Sequence, residues 1–201
     1  MLIDKIIQLC SKYEKTMKSL SFIPAAEHAI YPSEMLPLCA LAMKEKPSCV
    51  IESGRQYGFS TNVLAEWFRR SKTKTISMDV HPPTSEAEDR LKSFLKVRLF
   101  TGDSRPLIPL FASAEKSIVL IDGPKEQSAL DLVEELRGKV RWVFVHDMVN
   151  WDFSKANPNN VFVTSDKRYR ARFSYLDCSF LTSLGYEADS PGGGMAVFKL
   201  F

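Results

Sequence analysis

The stretch SCVIESGRQYGFSTNVLAEWF, Ser48 to Phe68, changes its hydrophobic period part-way through. Cys49, Val50 and Ile51 form a short apolar run, as in a strand buried on both faces. Beyond Gly58 the apolar residues Phe59, Val63, Leu64, Trp67 and Phe68 recur at helical spacing. The pattern predicts a helix over residues 60–71, capped by Ser60 or Thr61. Glu52, Gly54 and Gly58 lie between the two. A buried strand that turns sharply into a helix through glycines bares its backbone, and a ligand can then approach closely.

The chain downstream repeats this alternation. TISMDV, VRLFTGD, SIVLIDG and RWVFVHD read as buried strands. TSEAEDRLKSFL reads as a helix with Ser85 and Glu88 at capping-box spacing. RPLIPLFASA reads as a short helix or turn, and KEQSALDLVEELRGK as a helix with Pro124 at its first position. Residues 148–168 read as irregular, with NPNN as a turn. RFSYLDCSFLTSLG then reads as a helix ended by Gly185, and YEADS, PGGG and MAVFKLF as an antiparallel hairpin. Such alternation implies an α/β, doubly wound, mostly parallel sheet with that hairpin at its edge.

Upstream, Ile3, Ile6, Ile7, Cys10, Tyr13, Met17 and Leu20 mark an amphipathic helix. Ser33 is placed to cap a second helix through EMLPLCALAMKEK, which Pro37 would delay or kink. The expected organisation is one domain over residues 1–201, a helical N-terminal cap at 1–45 over a sheet core at 48–201.

The chain of 201 residues is 45% hydrophobic with a formal net charge of +3, ordinary for a globular protein. Its basic residues are spread out, apart from WFRRSKTK and KRYRAR, so no nucleic-acid partner is expected. Cys10, Cys39, Cys49 and Cys178 show no C-x-x-C spacing and read as free thiols in a reducing compartment. The first residues carry charges throughout, and no segment has the apolar length to span a bilayer. A cytoplasmic protein without a membrane partner is expected. The first helix offers a face on which a second copy could pack as a homodimer.

In open α/β sheets, ligands bind beyond the carboxyl ends of the strands. Those ends here carry Glu52, Asp79, Asp103 beside Ser104, Asp122, and His146-Asp147. The dinucleotide fingerprint lacks its middle glycine, and the Gly-Lys-Ser/Thr of a phosphate loop is absent. An acid ahead of Gly54 would repel a pyrophosphate but suit a cationic amino-acid group.

The set IESGRQYGFST, SMDV, FTGDS, LIDGPK and VHD resembles the class I S-adenosylmethionine-dependent methyltransferases. It looks most like their small-molecule O-methyltransferase branch, of the catechol and caffeoyl-CoA type, over roughly residues 48–201. The resemblance implies a seven-stranded, Rossmann-like sheet and methyl transfer from S-adenosylmethionine to an oxygen of a small molecule. Glu52, Gly54, Gly58, Ser60 and Thr61 would then surround the methionine part of the cofactor, with Tyr57 covering it. Asp79 would hold the ribose hydroxyls, and Asp103 and Ser104 would lie near the adenine, with Asp122 bordering the cofactor.

In the metal-dependent members an Asp like Asp122 binds a divalent ion and a Lys at the spacing of Lys125 is the general base. By that resemblance Asp122 and Asp147 would hold Mg²⁺. The family's Asp-Asn pair reads Asp147-Met148 here, so a third oxygen would come from Asn150, Glu126 or water, or no metal is used. Lys125, its pKa lowered by burial, and His146 are the two candidate bases. Tyr31, Trp151 and Phe153 are candidates for substrate contact. The reading from another class is a non-catalytic module of the same fold that binds cofactor or a partner.

Overall fold

The computed structural model describes residues 2–24, 29–114, 116–148, 160–177 and 194–201. Seven strands form one sheet: β1 Cys49–Ser53, β2 Lys74–Asp79, β3 Val97–Thr101, β4 Ser117–Ile121, β5 Trp142–Val145, β6 Asn160–Phe162 and β7 Ala196–Lys199. Their spatial order is β3-β2-β1-β4-β5-β7-β6. β1 to β5 are mutually parallel, and β7 runs antiparallel between β5 and β6.

Alternate residues of the central strands enter two separate cores, as a period of two requires. Val50, Ile118, Leu120, Trp142 and Phe144 join α1 (Leu2–Lys18), α2 (Pro32–Glu45) and α3 (Phe59–Trp67) on one side. Ile51, Val119, Ile121, Val143 and Val145 join α5 (Ser104–Ala114) and α6 (Glu126–Glu135) on the other. Both sets are apolar, which is why these strands read as continuous apolar runs. Cys10, Cys39 and Cys49 are free and buried; Cys178 lies outside the described residues.

Several local expectations are corrected. β7 is the expected last strand, but its outer partner is β6, which begins at Asn160 inside the segment read as irregular. Three residues are too few to leave a period. YEADS lies outside the described residues. α7 (Lys167–Phe173) starts earlier than RFSYLDCSFLTSLG, because the Asp166 carboxylate accepts from Arg168 N and Tyr169 N and caps it. A 3₁₀ turn, Ser174–Asp177, follows, and residues from 178 on lie outside the described set.

α3 is capped by Gly58 in the left-handed region (φ +79°), not by Ser60 or Thr61, which are buried. α4 (Ser85–Leu91) is capped by Thr84 rather than Ser85. α6 begins at Glu126, with Lys125 extended at its cap, so Pro124 precedes the helix instead of starting it. α2 begins at Pro32, with Tyr31 rather than Ser33 at the cap, and continues past Pro37 to Glu45. Proline there has no N–H for the Ser33 carbonyl. The Tyr169 hydroxyl donates to that carbonyl instead, at 2.5 Å, which lets the helix continue.

Candidate active site

The carboxyl ends of β1 and β4 meet at two glycines. Asp122 N and Gly123 N both donate to Ser53 O, at 2.8 and 2.9 Å, and Gly54 N donates to Met78 O at 2.8 Å. Gly54 has φ +88°, and a Cβ on it would stand 2.6 Å from Gly123 N. Only glycine allows this approach. Beside the junction opens a cavity of about 270 Å³ whose lining includes Gly54, Asp79, Asp103, Ser104, Arg105 and Gly123.

On the β1–β2–β3 side Asp79 is held by the chain's own backbone, while Glu52 and Asp103 are held mainly by side chains. Asp79 Oδ2 accepts from Arg55 N and Gln56 N at 2.8 Å, and Oδ1 from His81 N at 2.9 Å. Burial alone would raise its pKa; the three N–H groups outweigh that and hold the carboxyl below the usual range. An ionised carboxylate with about four acceptor positions keeps one for a hydroxyl in the cavity. Glu52 is fully buried, accepts from the Thr61 hydroxyl and leaves Oε1 with no partner among the described residues. Burial pushes its pKa up. Asp103 is exposed and forked onto Arg105 (2.6 Å at the shortest), while Ser104 Oγ meets Ser53 Oγ at 2.6 Å.

Of the other residues singled out for a cofactor, Ser60 and Thr61 surround Glu52 and do not line the cavity. Gly58 packs on Ala87, 3.1 Å from where its Cβ would be. Tyr57 is exposed and outside the cavity lining. His81 serves through its backbone N–H and carbonyl.

The β4–β5 side is built from side chains. Lys125 Nζ donates to Asp122 Oδ1 at 2.7 Å and to Asp147 Oδ2 at 2.8 Å, so the two acids do converge. His146 Nδ1 lies 2.9 Å from Asp122 Oδ1 and 3.4 Å from Asp147 Oδ1. Its Nε2 lies 3.1 Å from Glu34 Oε2, contributed by α2. Burial would lower the His146 pKa, but the bonds to Asp122 and Glu34 outweigh it and push it up to about 10. Burial likewise works against the Lys125 ammonium, and Asp122 and Asp147 outweigh it and raise its pKa. This reverses the lowered pKa expected for Lys125, because both acids point at its Nζ. Asp122 is held below its usual range: burial opposes this, and His146 and Lys125 prevail.

The donors here fit a divalent cation. Asp122, His146 and Asp147 each offer one atom, all within 4.8 Å of one another. Met148 is buried among the core side chains between the sheet and its helices and offers nothing. Asn150, Trp151 and Phe153 lie outside the described residues.

Two residues escaped the sequence reading. Glu34 was legible only as a helix-cap acid, since its partner is 112 residues away. Arg55 sits inside the glycine turn with its side chain buried, donating to the carbonyls of Ser77, Phe100 and His81 at 3.0–3.3 Å. It ties the ends of β2 and β3 to the glycine turn. A charged residue between two glycines was the available signal.

No family model matches the sequence, and no curated protein matches it. Solved structures do match along nearly the whole chain. Cofactor-bound Rv0187 from MTB is 17% identical over 95% of this chain and 89% of its own, with a TM-score of 0.55. The O-methyltransferase TomG from Streptomyces achromogenes, in complex with SAM, is 15% identical over 99% and 89%, with a TM-score of 0.54. The SAH-bound methyltransferase PaMTH1 of Podospora anserina is 12% identical over 95% and 87%, with a TM-score of 0.53. The chain has the class I S-adenosylmethionine-dependent methyltransferase fold. In this methyltransferase fold the β1–β4 junction is the point where the strand order reverses, and the cavity lies at its carboxyl end. No helix among the described residues is long and apolar enough to cross a membrane.

Proposed function

We propose that the protein transfers a methyl group from S-adenosylmethionine to an oxygen of a small molecule. The observation that carries this is the cavity at the strand-order reversal, with Asp79 ionised in its lining, and the Asp122–Lys125–His146–Asp147 cluster flanking Gly123 and Pro124 of that lining in the chain without itself lining the cavity. Asp79 suits a ribose diol, since its backbone bonds fix both position and charge. Glu52 is fully buried and does not line the cavity, so its Oε1 meets no cationic group of a cofactor in this arrangement.

A divalent ion at Asp122 and Asp147 would lower the pKa of a substrate hydroxyl and orient it. Lys125 accepts a proton only in a state where those two carboxylates are not both its partners, since they raise its pKa and burial lowers it. His146 is under the same constraint from Asp122 and Glu34.

Calorimetric titration with S-adenosylhomocysteine tests the reading. Micromolar binding is expected, weakened about ten-fold by Asp79→Ala through loss of a charge-assisted bond. Absence of binding to the unaltered protein, or equal affinity in the variant, would remove its main support. Transfer of labelled methyl from the cofactor to hydroxyl-bearing but not amine-bearing acceptors tests the choice of oxygen.

A further inference from the structure

Glu34 belongs to the helical cap, yet its carboxylate closes the β4–β5 end of the site. It is 2% exposed, and Oε2 accepts Tyr31 N–H at 3.0 Å while facing His146 Nε2. The start of α2 is itself fixed: Asp177 accepts from Ser33 N at 2.8 Å and from Ser33 Oγ at 2.6 Å. These bonds fix the backbone from which Glu34 reaches the imidazole, and the Tyr31 N–H bond holds its Oε2 there.

A carboxylate on one ring nitrogen sets the tautomer and aims the other nitrogen, as in carboxylate–histidine–metal arrangements. Here the other nitrogen, Nδ1, points at Asp122 and Asp147, at 2.9 and 3.4 Å. Donor atoms sharing one ion at about 2.0–2.1 Å stand about 2.8–3.4 Å apart in octahedral or tetrahedral geometry. Lys125 Nζ already sits between the two acids as a resident cation. Glu126 (φ +51°) and Asp147 (φ +60°) hold left-handed backbones beside it, a cost that often marks functional geometry.

We propose that Glu34 holds His146 as the nitrogen ligand of a divalent-cation site completed by Asp122 and Asp147. The site prefers imidazole-accepting ions such as Mn²⁺, Co²⁺ or Zn²⁺ over Mg²⁺, which takes oxygen ligands. His146 would bind an ion through an unprotonated Nδ1, with Glu34 on the opposite nitrogen. Lys125 competes with the ion for both carboxylates. What the ion is for rests on the methyl-transfer reading; that it binds does not.

The test is pulsed electron paramagnetic resonance of the protein loaded with Mn²⁺, with Mn²⁺ and Mg²⁺ affinities from titration. Nitrogen modulation from one imidazole is expected, and its loss in His146→Asn, with the Mn²⁺/Mg²⁺ preference falling about ten-fold. Glu34→Gln should weaken Mn²⁺ by about ten-fold or more, while glutamine still serves the helix cap. Lys125→Met should tighten Mn²⁺. Bound Mn²⁺ without nitrogen modulation overturns the proposal, as does no Mn²⁺ binding at millimolar concentration in either the unaltered protein or Lys125→Met. S-Adenosylhomocysteine titrated into the same samples separates the two readings. Cofactor binding without nitrogen-ligated Mn²⁺ sinks only the metal site, and the converse sinks only methyl transfer.

Discussion

The two halves of the sheet's carboxyl rim carry the same kind of residue and use it differently. On the β1–β2–β3 half, Asp79 spends three bonds on backbone N–H groups, and Arg55 spends its side chain on backbone carbonyls. These bonds shape loops, and little but the loops would move if they broke. On the β4–β5 half, Asp122, Lys125, His146, Asp147 and Glu34 bond one another through side chains. Side-chain ion pairs can be exchanged for an incoming ion at modest backbone cost. The first half is a mould for a ligand of fixed shape, and the second is a charge cluster that can be reloaded. The second half also depends on α2, whereas the first is assembled from the sheet's own loops.

The halves meet at Gly54, so that residue offers the largest perturbation. Gly54→Ala puts a Cβ at φ +88° within 2.6 Å of Gly123 N and 2.9 Å of Asp122 C. A stability loss of about 3 kcal/mol is expected in urea denaturation, since strain and a backbone clash add. S-Adenosylhomocysteine and Mn²⁺ binding should fall together. Loss of one alone would show that the halves are not coupled through this contact.

Tyr169→Phe tests the dependence on α2. It strips the hydroxyl from the Ser33 carbonyl that Pro37 leaves unpaired, which should cost about 1–2 kcal/mol. Mn²⁺ affinity should fall with the displaced Glu34 while S-adenosylhomocysteine affinity holds. A parallel fall in both would erase the distinction between the halves.

The smallest effect is one of pH. Burial outweighs the bonds from Ser33 and pushes the Asp177 pKa from 3.8 up to about 7. A raised carboxyl pKa means the folded state binds the proton more tightly. The stability this contributes is full below pH 3.8 and lost as pH rises through about 7. Thermal melts of Asp177→Asn should therefore lose less stability than the unaltered protein between those limits. Equal slopes would mean that Asp177 does not report on the anchoring of α2.

The parallel strands were legible because both faces of each are apolar: Val50 beside Ile51, and Ile118 to Ile121, leave unbroken runs. The strand-end acids were legible because each follows such a run directly. Helix starts were read with errors of one or two residues wherever two candidate caps adjoin, as at Thr84-Ser85 and Pro124-Lys125. A cap is a local hydrogen bond, and adjacent residues compete for it on nearly equal terms. The lowered pKa expected of Lys125 was misjudged because burial could be guessed from the strand end, but the direction of two carboxylates could not.

By itself the sequence determined the period change from Cys49 to Trp67, the βαβ alternation and the row of acids. Each of these is a pattern of near neighbours in the chain, and burial imposes it locally. Only the tertiary structure decided that β7 pairs with β6, that Arg55 turns inward, and that Glu34 meets His146 across 112 residues. Such contacts join residues whose spacing carries no period. A side chain's local sequence is the same whether its partner is a distant imidazole, a backbone carbonyl or water.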